Sequence, residues 1–376
     1  MIKDSRLRVL FLTLYPETMP SSRLRVYQYL PYLEEFGIEA TVCPAVPEPL
    51  FSRLYYSSSK WMYLLYYAAE IPANIGRIFK SRRFDLVFIQ KGILSMNLRG
   101  FDRLLEWANP RFVFDLDDAV FGKNIVELPW LLSGVFQDID QTKKISSRAQ
   151  AVIVGNNYLR ELALEHNKNV SLIPTPVDTN RFCRQGRRQE KGEREIVIGW
   201  IGLGGTFTVH FLPILEVLRK VAHRYPIRLK IITRPGKDGL ALENVPFDLV
   251  PWSYDTEVAE MEDFDIGIMP LPNDEWARGK CGLKLLQYMS MGIPSVASNV
   301  GMNSEIIDEG IDGFLASTPA EWTEKLSRLI EDAGLRARMG EAARVKVVEN
   351  YSLEKMAPRF AEVLEQAGSY ETIHAS

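Results

Sequence analysis

Three observations predict an α/β protein of two domains, each a doubly wound parallel sheet. Apolar runs of strand length alternate with stretches of helical periodicity. Several of those runs are apolar throughout, as strands covered on both faces are. The rhythm restarts after a polar, charged break between 184 and 195. The length of 376 residues fits two domains better than one.

In the first half, Leu7–Thr13 reads as a buried strand. A Pro/Ser loop follows, then helical spacing from Leu24 to Phe36 that stops at Gly37, a favourable C-terminal cap. Ile38–Cys43, Asp85–Ile89, Phe112–Asp115, Ala151–Val154 and Val170–Ile173 continue as strands. In the second half, strand Ile196–Ile201 leads through Gly202-Leu203-Gly204-Gly205-Thr206 into a helix over about Val209–Arg224. Strands Leu229–Thr233, Asp265–Met269 and Ser295–Ala297 follow, with a helix over about Leu283–Met291. Amphipathic helices near 320–333, 335–349 and 353–366 finish the chain. The expected division is 1–183, a linker at 184–195, 196–350, and a final helical segment at 351–376 that can cross back to the first domain. A central cleft between the domains is the default ligand site.

Composition narrows the function. A net charge of -3 without a basic run gives no reason to expect nucleic acid. Three distant cysteines, Cys43, Cys183 and Cys281, fit neither a disulfide framework nor a zinc site. No stretch approaches the ~18 apolar residues of a spanning helix, and the charged N-terminus lacks the pattern of a signal peptide. A cytoplasmic protein is expected. The four histidines pair with no Ser or Cys in a recognisable triad.

The densest chemical signal is Arg278–Pro294. Lys280 and Lys284 are four apart, so on a helix they would share one face of the first turn, with Gln287 just beyond. Ammonium groups there oppose the helix dipole unless a phosphate is bound. An exposed helix start with solvated lysines is the bland alternative. The turn Gly202–Thr206 lets a pyrophosphate approach backbone amides, although such turns are more often plain connections. Asp115, Asp117 and Asp118 crowd a strand end, where open sheets place ligands. Paired carboxylates suit proton transfer, helix capping is the commoner use, and a metal site is a third reading. Ser22, Arg23 and Arg25 follow the first strand and either meet an anionic acceptor or simply open a solvated helix. Tyr55–Phe79 is aromatic, with Lys60, Arg77 and Lys80 nearby, which suits an interfacial helix or an aromatic core.

Taken together, these segments resemble the retaining glycosyltransferase family 4 (glycosyl transferases group 1). The resemblance rests on Val154-Gly155-Asn156, Ile173–Asp178, Ile198–Gly202, Lys284–Pro294, Gly301, Glu305-Ile306-Ile307 and Asp312–Leu315. It implies the GT-B architecture, with two Rossmann-like domains facing the cleft. It further implies transfer of a sugar from a nucleotide-diphosphate sugar, with retention and without a metal ion. The family's two glutamates, eight positions apart, are replaced here by Gly279 and Gln287, and its usual Arg and Lys pair after the first donor-domain strand is missing.

On this reading Gly202, Gly204, Gly205, Thr206, Lys280 and Lys284 hold the diphosphate, and Gln287 or Glu305 the ribose. Ser22, Arg23 and Arg25 meet the acceptor, and Asp117 or Asp118 orients or deprotonates its hydroxyl. The expected acceptor is a saccharide or lipid-linked saccharide in polysaccharide biosynthesis, with peripheral membrane contact through 55–80. A non-catalytic sugar-nucleotide-binding homologue and an epimerase or hydrolase on the same fold are the alternatives.

Overall fold

The computed structural model describes residues 6–55, 60–121, 130–184, 195–202, 206–233 and 245–369. The chain divides into two compact units: residues 1–175, 279–281 and 356–376 form the first, and 176–278 with 282–355 the second.

The first unit is built on β1 (Leu7–Thr13), β2 (Ile38–Pro44), β3 (Leu86–Gln90), β4 (Phe112–Leu116), β5 (Ala151–Val154) and β6 (Val170–Leu172). They lie in the order β2-β1-β3-β4-β5-β6, all parallel. Every residue of β3, β4 and β5 is buried, which explains their unbroken apolar runs. The helices are α1 (Pro20–Arg25), α2 (Leu30–Glu35), α3 (Glu48–Tyr55), α4 (Lys60–Ser81), α5 (Phe101–Ala108), α6 (Trp130–Phe136), α7 (Gln141–Arg148) and α8 (Asn157–Leu164). Leu105, Ile145 and Leu159 of α5, α7 and α8 close one core against Leu10, Val87, Phe114 and Val152. The single helix expected over Leu24–Phe36 is divided. Pro31 has no N–H for an interior helical bond, so α1 ends, a tight turn spans Tyr27–Tyr29, and α2 starts afresh.

The second unit repeats the plan with β7 (Ile196–Ile201), β8 (Ile227–Thr233), β9 (Phe247–Pro251), β10 (Ile266–Met269), β11 (Ser295–Ser298) and β12 (Phe314–Ala316). Their order is β12-β11-β10-β7-β8-β9, again parallel. Its helices are α9 (Leu215–Arg224), α10 (Glu257–Met261), α11 (Glu275–Arg278), α12 (Leu283–Ser290), α13 (Met302–Ile306), α14 (Pro319–Glu331) and α15 (Ala333–Asn350). Trp200, Leu218, Ile231 and Trp322 pack one face of the sheet, while Ile201, Phe264, Tyr288 and Val347 pack the other. Ahead of α9, Phe207–Phe211 forms a wide π turn and Leu212–Ile214 a tight one, with Pro213 again barring a regular start.

The last helix, α16 (Leu353–Ser369), gives residues 356–369 to the first unit. There Phe360 stacks on Tyr29, ring centroids 4.3 Å apart, and lies 5.3 Å from Phe88. Strand order reverses between β1 and β3 in one sheet and between β7 and β10 in the other. Open parallel sheets bind ligands outside the carboxyl ends of strands at such points.

Candidate functional site

In the first unit, the carboxyl ends of β1, β3 and β4 converge on the aspartate cluster. Asp118 is held on both oxygens: Lys91 Nζ bonds Oδ2, and Lys280 Nζ reaches Oδ1 at 2.7 Å. Burial alone would raise its pKa, but the two ammonium groups draw it below the ordinary carboxylate value. Lys91 sits immediately after β3 with φ 67°, a left-handed conformation that side chains seldom adopt.

Asp117 differs from its neighbour. Its Oδ2 accepts a 2.5 Å hydrogen bond from Ser21 Oγ, while Oδ1 is buried and accepts none. Lys91 Nζ lies 3.9 Å from that second oxygen. Behind Ser21 the chain of bonds continues: Gln90 Nε2 donates to Ser21 Oγ at 2.8 Å, and Ser22 Oγ donates to Gln90 Oε1 at 3.2 Å. Neither Asp117 nor Asp118 caps a helix among the described residues.

Arg25 occupies a different position from the one its sequence context suggests. Its side chain is 1% exposed and ion-pairs with Asp115, which is fully buried. It also donates to the Ile173 carbonyl at 2.8 Å. Burial works against the Arg25 charge, yet Asp115 more than offsets this and holds the guanidinium firmly protonated. Arg25 thus ties α1 to β4 and the end of β6, with no face left for an acceptor. Ser22 is likewise fully buried, and Arg23 is half-buried on α1.

The lysines expected to work as a pair part company. The first turn of α12 begins only at Leu283, after Gly282 at φ 68°. Lys280 therefore lies outside the helix, and by its contacts it belongs to the first unit with Asp118. Gly279 sits so close to Ala119 that a Cβ would stand 2.6 Å from the Ala119 Cβ and 2.7 Å from its backbone nitrogen. No side chain fits there. The thiol of Cys281 contacts the Asp117 carbonyl at 3.2 Å, and burial pushes its pKa up to about 12.

Lys284 remains on α12, half-buried, its Nζ 4.5 Å from the Trp200 ring centroid. A Cβ on Gly202 would come within 2.8 Å of that ammonium, so the glycine leaves it room beside the end of β7. The Gly202 amide itself is engaged in the sheet, donating to the Ile232 carbonyl at 3.0 Å. Thr206 opens the turn that leads to α9, and Gly204 and Gly205 lie outside the described residues. Gln287 is buried on α12, one turn beyond Lys284. Glu305 is exposed on α13.

Sequence reasoning missed several groups. Gln90 and Lys91 carried one faint signal, polar residues closing an apolar strand. A cavity of about 290 Å³ at the carboxyl ends of β10, β11 and β12 is lined by His210, Asn273, Asn299, Ser317 and Trp322 among others. Nothing in the spacing joins those positions. Among the described residues no three His, Cys, Asp or Glu side chains form a metal cluster, and no helix is long and apolar enough to cross a membrane.

The Glycosyl transferases group 1 family matches residues 208–332, which include Lys284 and Gln287 on α12 and the residues that line the 290 Å³ cavity. Over that stretch the chain is similar to the group 1 glycosyl transferases. Among curated relatives, a D-inositol 3-phosphate glycosyltransferase of Corynebacterium urealyticum is 25% identical over 225 residues, 53% of this chain and 51% of its own length. An N-acetyl-alpha-D-glucosaminyl L-malate synthase of Bacillus anthracis is 31% identical over 84 residues, 22% of either chain. The chain thus spans about half or less of the curated relatives it matches. Likeness of fold is far wider. A glycosyltransferase from Rickettsia africae superposes with TM-score 0.68 over 97% of this chain and 100% of its own at 16% identity. Anabaena HepE, solved in complex with UDP and glucose, gives 0.65 over 96% and 99% at 15% identity. The fold is the GT-B fold.

Proposed function

We propose that this chain is a glycosyltransferase of the retaining family 4 type. It takes a sugar from a nucleotide-diphosphate sugar and gives it to a saccharide or lipid-linked saccharide acceptor. The work belongs to polysaccharide or glycoconjugate assembly in the cytoplasm, at the inner face of the membrane. The observation that carries the reading is Lys284 beside Gly202, a half-buried ammonium at a strand end where the fold binds ligands, inside the stretch similar to the group 1 family.

When the glycosidic bond breaks, negative charge gathers on the leaving diphosphate. An ammonium and helix amides aimed at that charge stabilise the transition state more than the ground state. Lys284 and the start of α12 supply both, and Gln287 or Glu305 takes a ribose hydroxyl. On the acceptor side, Asp117 has the better claim than Asp118. Asp118 is spent on two lysines, whereas Asp117 Oδ1 accepts no hydrogen bond and can take one from an acceptor hydroxyl. Lys91 and Lys280 already neutralise this carboxylate pair, which fits chemistry without a metal ion.

Calorimetry with UDP, GDP and ADP in EDTA tests the donor site. One nucleotide is expected to bind, and Lys284→Ala to weaken it roughly tenfold to a hundredfold, the value of a charged hydrogen bond. Equal binding by Lys284→Ala would take that lysine out of the site. Gly279 and Gln287, in place of the family's glutamates, favour one second reading, a homologue that binds sugar nucleotide without turnover. Glycosylated acceptor in product analysis excludes that reading, and it excludes an epimerase or hydrolase as well.

A further inference from the structure

Helix α4 buries polar groups and exposes apolar ones. Beside Tyr66 and Ile78, its buried side chains include Glu70, Asn74 and Arg77. Its outward stripe, spaced alternately by four and three residues, is Trp61, Leu65, Ala68, Pro72, Ile75 and Phe79. Trp61 is 74% exposed, Leu65 55% and Phe79 45%. A surface helix of a water-soluble domain normally does the reverse, turning its charges outward and its apolar side into the core.

The buried polar side is costly. Glu70 Oε1 accepts from the Ser95 amide at 2.8 Å and its hydroxyl at 2.9 Å, while Oε2 has no partner. Burial raises the Glu70 pKa and lowers that of Arg77 to about 10. The stripe continues onto α5, where Trp107 is 62% exposed and meets Phe79 edge-on at 6.1 Å. Arg82 caps both rings, its guanidinium 3.8 Å from the Trp107 centroid.

An apolar face of this length in water calls for a cover. The charge around it says which. Lys80, Arg82 and Arg83 are exposed at its C-terminal end and the acid of α4 is buried, while Glu106 beside Trp107 is paired with Arg148, so the charge along the face is mainly positive. Exposed tryptophan and phenylalanine flanked by cations are the chemistry of a helix lying in a lipid interface. We infer that the α4 stripe, with Trp107 and the Lys80–Arg82–Arg83 cluster, docks the protein on an anionic lipid surface. The inference rests on the membrane-side part of the proposed reading and gives it a surface, and the two are tested apart: nucleotide calorimetry tests the transfer, vesicles the docking.

The test is sedimentation of the full chain with phosphatidylglycerol–phosphatidylcholine vesicles and with pure phosphatidylcholine, at low and high salt. Binding is expected only with the anionic lipid, and to fall as salt rises. Arg82→Ala and Arg83→Ala each weaken it roughly fivefold. The pair Trp61→Ser/Phe79→Ser abolishes it with the melting temperature retained, and Ile311→Ser, exposed in the second unit, leaves it unchanged. Failure to sediment, or equal sedimentation with pure phosphatidylcholine, overturns the inference. So does a dimer that Trp61→Ser/Phe79→Ser turns into a monomer while vesicle binding stays put, because the stripe would then belong to a second copy of the chain.

Discussion

Lys91 keeps a backbone conformation that glycine adopts freely and other residues resist by about 1–2 kcal/mol. Its ammonium, set between Asp117 and Asp118, repays that strain. Lys91→Ala leaves two buried carboxylates short of a partner and is expected to cost about 3–5 kcal/mol in urea unfolding. Lys91→Gly should cost less, because the strain goes with the charge. Asp118 sets an acid limit. A carboxyl whose pKa is depressed on folding adds stability above its unfolded value of about 3.9 and loses it as pH falls through the folded one. Thermal melts below about pH 4 should therefore show the wild type losing this contribution, while Asp118→Asn, lacking it from the start, varies less there. The sequence exposed half of this arrangement. Three aspartates at a strand end are visible in a row, but Gln90 meets Asp115 only through the register of β3 on β4. Arg25 reads as a cation near a binding site until the partner that consumes it, ninety positions away, is seen.

At the scale of elements, the strands legible in the sequence were those with a sustained apolar run, including the partly buried edge strands β2 and β6. β9 and β12 went unread. Both are edge strands, one only partly buried and closed by Pro251, the other three residues long, so neither shows a sustained apolar run. The start of α12 was placed correctly by its glycine, yet the lysine pair was not. Gly282 turns the chain so that Lys280 precedes the helix and only Lys284 rides on it. Gly279, just ahead of that turn, has no room for a side chain. Gly279→Ala is expected to destabilise the protein by about 1–3 kcal/mol, since Ala119 must move to admit a methyl group. Denaturant unfolding measures it. Unchanged stability would mean that the glycine is there for something other than room.

Across the molecule, each unit has its own parallel sheet and its own apolar cores, which is why a rhythm read along the chain was enough to foresee both. What periodicity could not convey is where the late residues go. Phe360, far along the last helix, completes the aromatic packing of Tyr29, Phe11 and Phe88 in the first unit. Phe360→Ala is expected to cost about 3–5 kcal/mol. Hydrogen exchange should locate the damage, with amides of β1 and β3 losing protection before those of β7 and β10.

The membership of the first unit, residues 1–175 with 279–281 and 356–376, also governs how this gene can be cut. A fragment that stops after Thr175, where the first unit's continuous stretch ends, omits Lys280, Cys281 and Phe360. It would express the strands of the first sheet without one of the two cations on Asp118 and without the ring that covers Tyr29. Swapping halves with a related protein meets the same obstacle, because the second half carries residues 279–281 away from the first unit they belong to. Recombination in this lineage is therefore expected to leave viable offspring mainly when the graft at 279–281 travels with the half it serves.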